Sequence, residues 1–306
     1  MRLLGVRVDA ALRKLPIQRL CPGQAGYPRV LQNAAAAVRG FDAPPQLHLW
    51  GQLPPCAPRA PCVAIVGSRA CTQDGRRFAA QLGAELARQG VTVVSGAARG
   101  IDQAAMHGAH SAGGAVVGVL GSGLGHPYPR DGLELMWRIA TARGAVISEF
   151  AHDLAPRRHH FPQRNRLIAA LSQAVVVVQG GERSGTMNTV QWALELGREV
   201  GAVPGPPGHA TSAGPHRLLR QGAFLVESAR DVLATLGLAL EPAPPPLAED
   251  APRAQLLAAL QLGPSDFPAL LSRLAISADA LRTELGALEL EGLIHRSPAG
   301  AYHRCS

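Results

Sequence analysis

Val63-Ala64-Ile65-Val66-Gly67-Ser68-Arg69 is an apolar run that stops abruptly at a glycine, a hydroxyl and a cation. Four apolar residues with no polar alternation predict a strand buried on both faces, and the glycine predicts a tight turn into the next element. The pattern recurs. Val91-Thr92-Val93-Val94 ends at Ser95-Gly96, Ala115 to Leu120 ends at Gly121-Ser122-Gly123, and Ala145-Val146-Ile147-Ser148, Ala174 to Val178 and Glu199 to Val203 follow. Between them lie helical repeats: one helix is expected from an N-cap at Asp74, with Phe78, Leu82 and Leu86 on one face, and another contains Ile101, Ala105 and Ala109. Continuously apolar strands alternating with helices predict an α/β fold, a doubly wound Rossmann-like parallel sheet with helices on both faces.

The functional edge of such a sheet is the carboxyl end of its strands. A dinucleotide fingerprint is absent there. Gly67-Ser68-Arg69-Ala70-Cys71-Thr72 lacks the second and third glycines, and the second strand ends in Ser95 rather than an acidic residue. No cofactor is expected. Phe161-Pro162-Gln163-Arg164-Asn165-Arg166, a further apolar strand and Arg183-Ser184-Gly185-Thr186 instead place a ring, three cations and a polar turn around the strand ends. That mixture suits a polyanion carrying flat bases, because arginine neutralises phosphate, a ring stacks on a base and helix-start amides accept phosphate oxygens.

The 306 residues carry a net charge of +8, and Lys14 is the only lysine among thirty basic residues. Arginine offers a planar fork and a stacking face that lysine lacks. Residues 1–239 hold 25 basic against 14 acidic side chains, whereas 253–306 hold five of each, so the nucleic-acid signal lies in the larger part. Charge alone equally fits an arginine-rich composition with a solvated basic face. Five scattered cysteines form neither a zinc pattern nor a disulfide framework, no signal-like segment opens the chain, and no apolar run reaches membrane-span length. A soluble, cytoplasmic protein with no membrane association is predicted. His159, His160, His209 and His216 have no carboxylate or cysteine at ligand spacing, so no metal site is expected.

Four segments are predicted. Residues 1–61 form an N-terminal extension, a collar packed on the sheet; 62–239 form the Rossmann-like domain; 240–252 are a Pro-rich acidic linker. Residues 253–306 read as helices at Leu256–Leu260, Phe267–Leu274 and Ala278–Glu291 followed by a hairpin, a compact winged helix. The helix Ala278–Glu291 holds Arg282 against Glu284, Glu289 and Glu291, which makes it a weak phosphate binder.

The segment from Val63 to about Leu236 resembles the DNA-processing protein A (DprA, or Smf) family. The resemblance rests on Val66-Gly67-Ser68-Arg69, Val94-Ser95-Gly96-Ala97-Ala98-Arg99-Gly100-Ile101-Asp102, Val119-Leu120-Gly121-Ser122-Gly123-Leu124, Tyr128-Pro129 and Ile147-Ser148-Glu149-Phe150. It continues through Phe161 to Arg166, Ser184-Gly185-Thr186, Gly197-Arg198-Glu199-Val200, Ala202-Val203-Pro204-Gly205 and Leu218-Leu219-Arg220-Gln221-Gly222-Ala223. The chain departs from the family at His216, where asparagine is usual, and at Gln179-Gly180, where an acidic residue and alanine are common. The sterile-alpha-motif-type domain with which the family often begins is expected to be missing or vestigial.

The resemblance implies a non-enzymatic single-stranded-DNA-binding protein of natural transformation (competence) and DNA recombination. Such a protein protects incoming strands, displaces or works around single-strand-binding protein, loads RecA recombinase and acts as a homodimer. It implies Arg69 as a phosphate contact, against a structural salt bridge at the sheet edge, and Arg158 as a second cation. A phenylalanine is more often core, but Phe161 lies among Arg157, Arg158, His159 and His160, which cannot all be buried, so it is expected to be the stacking ring, and Arg183, Ser184 and Gly185 to form a second phosphate turn. Arg164 and Arg166 flank Asn165 and point to different sides of a helix start, so one would bind phosphate while the other braces Glu149 or Asp102. Ser68 with Gly67, Gly96 and Gly123 shapes the groove. Leu218, Leu219, Val226, Val232 and Leu233 offer apolar surface for a two-fold patch, or simply close the monomer's core.

A competing enzymatic reading rests on Gly180-Gly181-Glu182-Arg183-Ser184-Gly185-Thr186, which resembles the loop of nucleoside-monophosphate phosphoribohydrolases of the LOG type. Those enzymes place a glutamate about two residues after the threonine; here Asn188 occupies it, an amide that cannot act as a base.

Overall fold

A computed structural model describes residues 8–304, apart from 13, 55–59, 239–252, 254, 255, 258, 261, 262, 275, 276, 298 and 299. The linker expected at 240–252 lies outside the described residues. The chain divides into two compact units, Met1–Glu241 and Pro242–Ser306.

The larger unit is built on β1 (Gln18–Leu20), α1 (Arg29–Ala37), β2 (Leu47–Gly51), β3 (Cys62–Val66), α2 (Gln73–Arg88), β4 (Thr92–Ser95) and α3 (Ile101–Ser111). It continues with β5 (Val116–Val119), α4 (Leu133–Ala140), β6 (Gly144–Ser148), α5 (His160–Ala170), β7 (Ala174–Val177) and α6 (Thr186–Glu195). Its last elements are β8 (Glu199–Ala202), α7 (Ala213–Arg220), β9 (Phe224–Leu225) and α8 (Ala229–Thr235). Among the described residues one nine-stranded sheet runs in the order β1-β2-β6-β5-β4-β3-β7-β8-β9. From β6 to β9 every pairing is parallel, while β1 and β2 join antiparallel at one side.

Strand β3 is central, and its side chains divide between two cores. Val63 and Ile65 face one, with α2, α3, α4 and α8; Cys62, Ala64 and Val66 face the other, with α1, α5, α6 and α7. Both faces are therefore dry, which is why the strand reads as unbroken apolar sequence.

The structure corrects several expectations. The collar does more than pack on the sheet: α1 covers one face, but β2 extends the sheet through pairs such as Leu49 with Ile147. The cap of α2 is Thr72, whose hydroxyl accepts the Gly75 amide at 3.0 Å. Asp74 lies inside the first turn, two residues past the cap, and pairs with Arg77. Leu218, Val226, Val232 and Leu233 are buried in the monomer and close its two cores, the alternative role given for them, and Leu219 is partly buried against one of those cores.

Helices α2 and α3 cross in close contact. A Cβ added at Gly83 would lie 2.3 Å from the Ala105 carbonyl oxygen, and one at Gly108 would lie 1.9 Å from that of Ala80. The two backbones therefore touch directly, with no side chain between them.

The smaller unit contains α9 (Phe267–Arg273), α10 (Ala278–Leu290) and an antiparallel hairpin of β10 (Ile294–Arg296) and β11 (Tyr302–Arg304). Leu256, Leu260, Leu270, Leu281, Leu285, Leu288, Ile294 and Tyr302 make its core, a winged helix. Arg282 donates to Asp279 at 2.8 Å and lies 5.4 Å from the Phe267 ring centroid. Among the described residues no helix is long and apolar enough to cross a membrane.

Candidate nucleic-acid interface

Strand order reverses at β3: β4, β5 and β6 lie to one side and β7, β8 and β9 to the other. Loops leaving β3 and β7 must diverge there, opening a crevice at their carboxyl ends. A cavity of about 390 Å³ occupies that crevice. Gly67, Ser68 and Arg69 line it from β3, Phe161, Arg164 and Asn165 from α5, and Ser184, Gly185 and Thr186 from the loop into α6. Arg158, Arg166, Arg183, Gly96 and Gly123 do not line this cavity.

The half-buried Phe161 ring rests against Gly121, where a Cβ would approach within 2.9 Å. Tyr128 meets the ring edge-on at 5.7 Å between centroids, and the Arg69 guanidinium stands 5.2 Å from its centroid. Arg69 is exposed and makes no ion pair among the described residues. A surface cation–π contact holds a guanidinium by only about 0.5–1 kcal/mol, so a phosphate can draw Arg69 away. The structural salt bridge considered for this residue is not formed. Arg158 is also exposed, three residues before Phe161, and Arg183 is exposed beside Ser184.

The loop into α6 has hydrogen-bond donors left to offer a ligand. The Ser184 and Met187 amides are spent within the turn, on the carbonyls of Gly181 and Ser184. Those of Gly185 and Thr186 have no partner among the described residues, and the buried Ser184 hydroxyl has none either. Free amides, a hydroxyl and an adjacent arginine together suit an anionic oxygen. Asn165 fixes this loop by donating to the Gly185 carbonyl and to Asn188 Oδ1, each at 3.3 Å. Asn188, at the position the enzymatic reading requires to be glutamate, is thus a structural partner of Asn165.

Arg164 and Arg166 depart from expectation. Neither is free for phosphate, because α5 is buried on both sides where they point. Arg164 donates to the carbonyls of Gly96, at 2.8 Å, and Val119. Arg166 grips both oxygens of Glu149 at 2.6 and 2.7 Å and donates to the Asp42 carbonyl, tying α5 to the collar. Both are braces.

The glycines act through space rather than through ligand contact. Added Cβ atoms would meet Ile101 and the Gln179 carbonyl at Gly67, Arg164 and Asp102 at Gly96, and the Ala151 and His152 carbonyls at Gly123. Gly100 has φ of 87° and would strike the Ser68 carbonyl at 2.4 Å, so it locks the loop after β4 onto the loop after β3.

Two supports escaped the sequence reading. Gln179 accepts the Thr72 amide and donates to its hydroxyl, both at 2.9 Å, stitching the end of β7 to the cap of α2. Tyr128 fixes the edge of Phe161; its place in the Tyr128-Pro129 motif was the available signal. His216 closes the turn after β8, with Nε2 2.9 Å from the Gly205 carbonyl. No group of three histidine, cysteine or acidic residues able to hold a metal occurs among the described residues.

Asp102 lies under the crevice. Burial pushes its carboxyl up to about 6, an effect only partly offset by the Arg164 guanidinium and by amides of Ala98, Gly67 and Gly96. A folded pKa above the unfolded value means that the native state binds the extra proton, so this group's contribution falls as pH rises from about 4 to about 6. Asp102→Asn should therefore gain stability relative to wild type by on the order of 2 kcal/mol between pH 4 and pH 7. Urea unfolding at both pH values checks this; an unchanged difference would mean that burial leaves the Asp102 carboxyl unshifted.

Comparison with known proteins identifies the family. Residues 18–237 match DNA recombination-mediator protein A, and residues 240–300 match the DprA winged helix domain. The chain belongs to the DNA recombination-mediator protein A family. A putative DNA processing protein DprA of Mycobacterium tuberculosis is 46% identical over 216 residues, covering 68% of this chain and 55% of that protein. The chain thus spans about half the length of that relative. Bacillus subtilis DprA is 36% identical over 75% of each chain. The solved Streptococcus pneumoniae DprA has a TM-score of 0.65 at 35% identity, over 77% of this chain and 78% of that one. Helicobacter pylori DprA, studied structurally for its single-stranded DNA binding mode, gives 0.62 at 26% identity, over 73% and 96%. Within this DprA family the crevice described above falls inside the matched region.

Proposed function

We propose that this chain binds single-stranded DNA in the crevice between β3 and β7, protects incoming strands in natural transformation and recombination, and loads RecA recombinase. One observation carries the reading: a half-buried ring under an exposed arginine shares a cavity with a turn, and among the described residues that arginine has no ion pair, two of the turn's amides no acceptor and its buried hydroxyl no partner. Base, phosphate and ribose-phosphate oxygen each find a complementary group there. The Helicobacter pylori relative's single-stranded DNA binding supports the substrate class. Arg69, Arg158 and Arg183 supply the phosphate contacts, Phe161 the stacking face, and Arg164, Asn165 and Arg166 the framework behind them. A homodimer would give two such crevices, one per protomer, as filament nucleation across DNA segments requires.

The test is a fluorescence-anisotropy titration of an oligothymidylate and a matched duplex across salt concentrations. Single strands should bind more tightly than duplex, and Arg183→Ala should flatten the log–log salt slope by about 0.7. Light scattering should report a dimer, and RecA should nucleate faster on strands coated with single-strand-binding protein. Absence of DNA binding, together with release of free base from a nucleoside monophosphate, would replace this reading with the enzymatic one.

A further inference from the structure

Arg69 belongs to two cavities. Besides the crevice, it lines a second, open groove of about 910 Å³ on the opposite helical layer, between α2, α3 and the start of α4. The walls of this groove carry Arg76 and Arg77 from α2, Arg99 from the loop before α3, and Arg138 from α4. Asp131 and Glu134 are the carboxylates among its lining residues, so five arginines face two acids.

The pairing within the groove is selective. Arg99 donates to Asp131 at 2.5 Å and Arg138 to Glu134 at 2.6 Å, while Arg77 turns to Asp74. Arg76 is exposed and makes no ion pair among the described residues, and Arg69 has only the Phe161 ring. All the pairs are largely solvent-exposed and therefore weak, each on the order of 1 kcal/mol or less, so a polyanion can compete for every one of these cations. The loops that separate the cavities are locked together, because Gly100 sits against the Ser68 and Arg69 carbonyls. Crevice and groove are thus fixed relative to each other, with Arg69 at their common rim.

We infer that the groove is a second DNA subsite: a single strand held at Phe161 and Arg69 crosses the carboxyl edge of the sheet and continues over the outer surface of the α2–α3 pair, beside α4, with its backbone on Arg76 and Arg99. Ribose and base on that stretch meet Gln73, Gln103 and His107, which read no particular sequence. This inference rests on the crevice binding single strands, and the experiment separates the two.

Binding is measured at about 0.15 M salt, where the Debye length of about 8 Å screens remote charges. The probes are oligothymidylates of about six and about 25 nucleotides, the shorter filling the crevice alone. Arg76→Glu should leave the short probe within twofold of wild type. It should weaken the long one about tenfold and reduce its salt slope by about 0.7 or more. Asp131→Asn, which frees Arg99, should tighten the long probe about threefold and leave the short one unchanged. Equal effects on both probes, or none on the long one, would overturn the second subsite while leaving the crevice intact. An Arg76→Glu defect confined to duplex would overturn it in favour of a duplex groove. Failure of the wild type to bind even the short probe would instead sink the crevice itself.

Discussion

Phe161→Ala should weaken single-strand binding by about five- to hundredfold, the loss of one base–ring stack at about 1–3 kcal/mol. The salt slope should barely move, because stacking releases no counterions. Arg69→Ala should behave in the opposite sense, with a smaller loss at physiological salt but a slope flatter by about 0.7. The contrast matters because the two groups touch: the guanidinium lies over the ring, so removing either disturbs the other. Phe161→Leu serves as the packing control, since Gly121 behind the ring leaves a gap when the side chain is cut to a methyl. Thermal melts should show all three variants folded. If Phe161→Ala binds like wild type while folded, the ring is part of the core and stacks on nothing.

The largest loss of stability is expected at Arg166. Both charges of its pair with Glu149 are nearly excluded from water, with side-chain exposures of 8% and 6%. Arg166→Met leaves a carboxylate buried without a partner and strips the Asp42 carbonyl of its donors. Breaking one half of such a pair costs about 3–5 kcal/mol, whereas replacing both halves by apolar groups is often close to neutral. Arg166→Met should therefore lower the urea midpoint sharply, and Arg166→Met with Glu149→Leu should recover much of the loss. A mild single variant would mean that water reaches the pair.

The six parallel strands of the centre were legible because a strand buried on both faces is mostly apolar, as Val63 to Val66 shows, and a buried hydroxyl such as that of Ser95 is spent on a backbone carbonyl. The flanking strands were not. Gln18–Leu20 is only three residues long, and Leu47–Gly51 carries His48, which is buried by virtue of a hydrogen bond to the Phe150 carbonyl 102 residues away. No local pattern announces such a partner. The candidate site was legible as a set of loop ends, since topology brings Ser68, Phe161 and Ser184 to one crevice. The burial of Arg164 and Arg166 was hidden for the same reason as that of His48. An arginine in a helix reads as exposed until the carbonyls and carboxylates that enclose it, here from β4, β5, β6 and the collar, are brought in from distant sequence.

The contact between α2 and α3 has a consequence for how this protein can change over generations. At most helix crossings the separation is adjustable, because an alanine can become a serine or a valine and the neighbours repack. At Gly83 and Gly108 there is nothing to exchange: any larger residue meets a carbonyl oxygen well inside contact distance. Variation is therefore channelled away from the crossing and onto the outward turns, where Arg76 and His107 can be swapped without moving either backbone. A lineage adapting to a new ligand here would keep the same trough and repaint its walls.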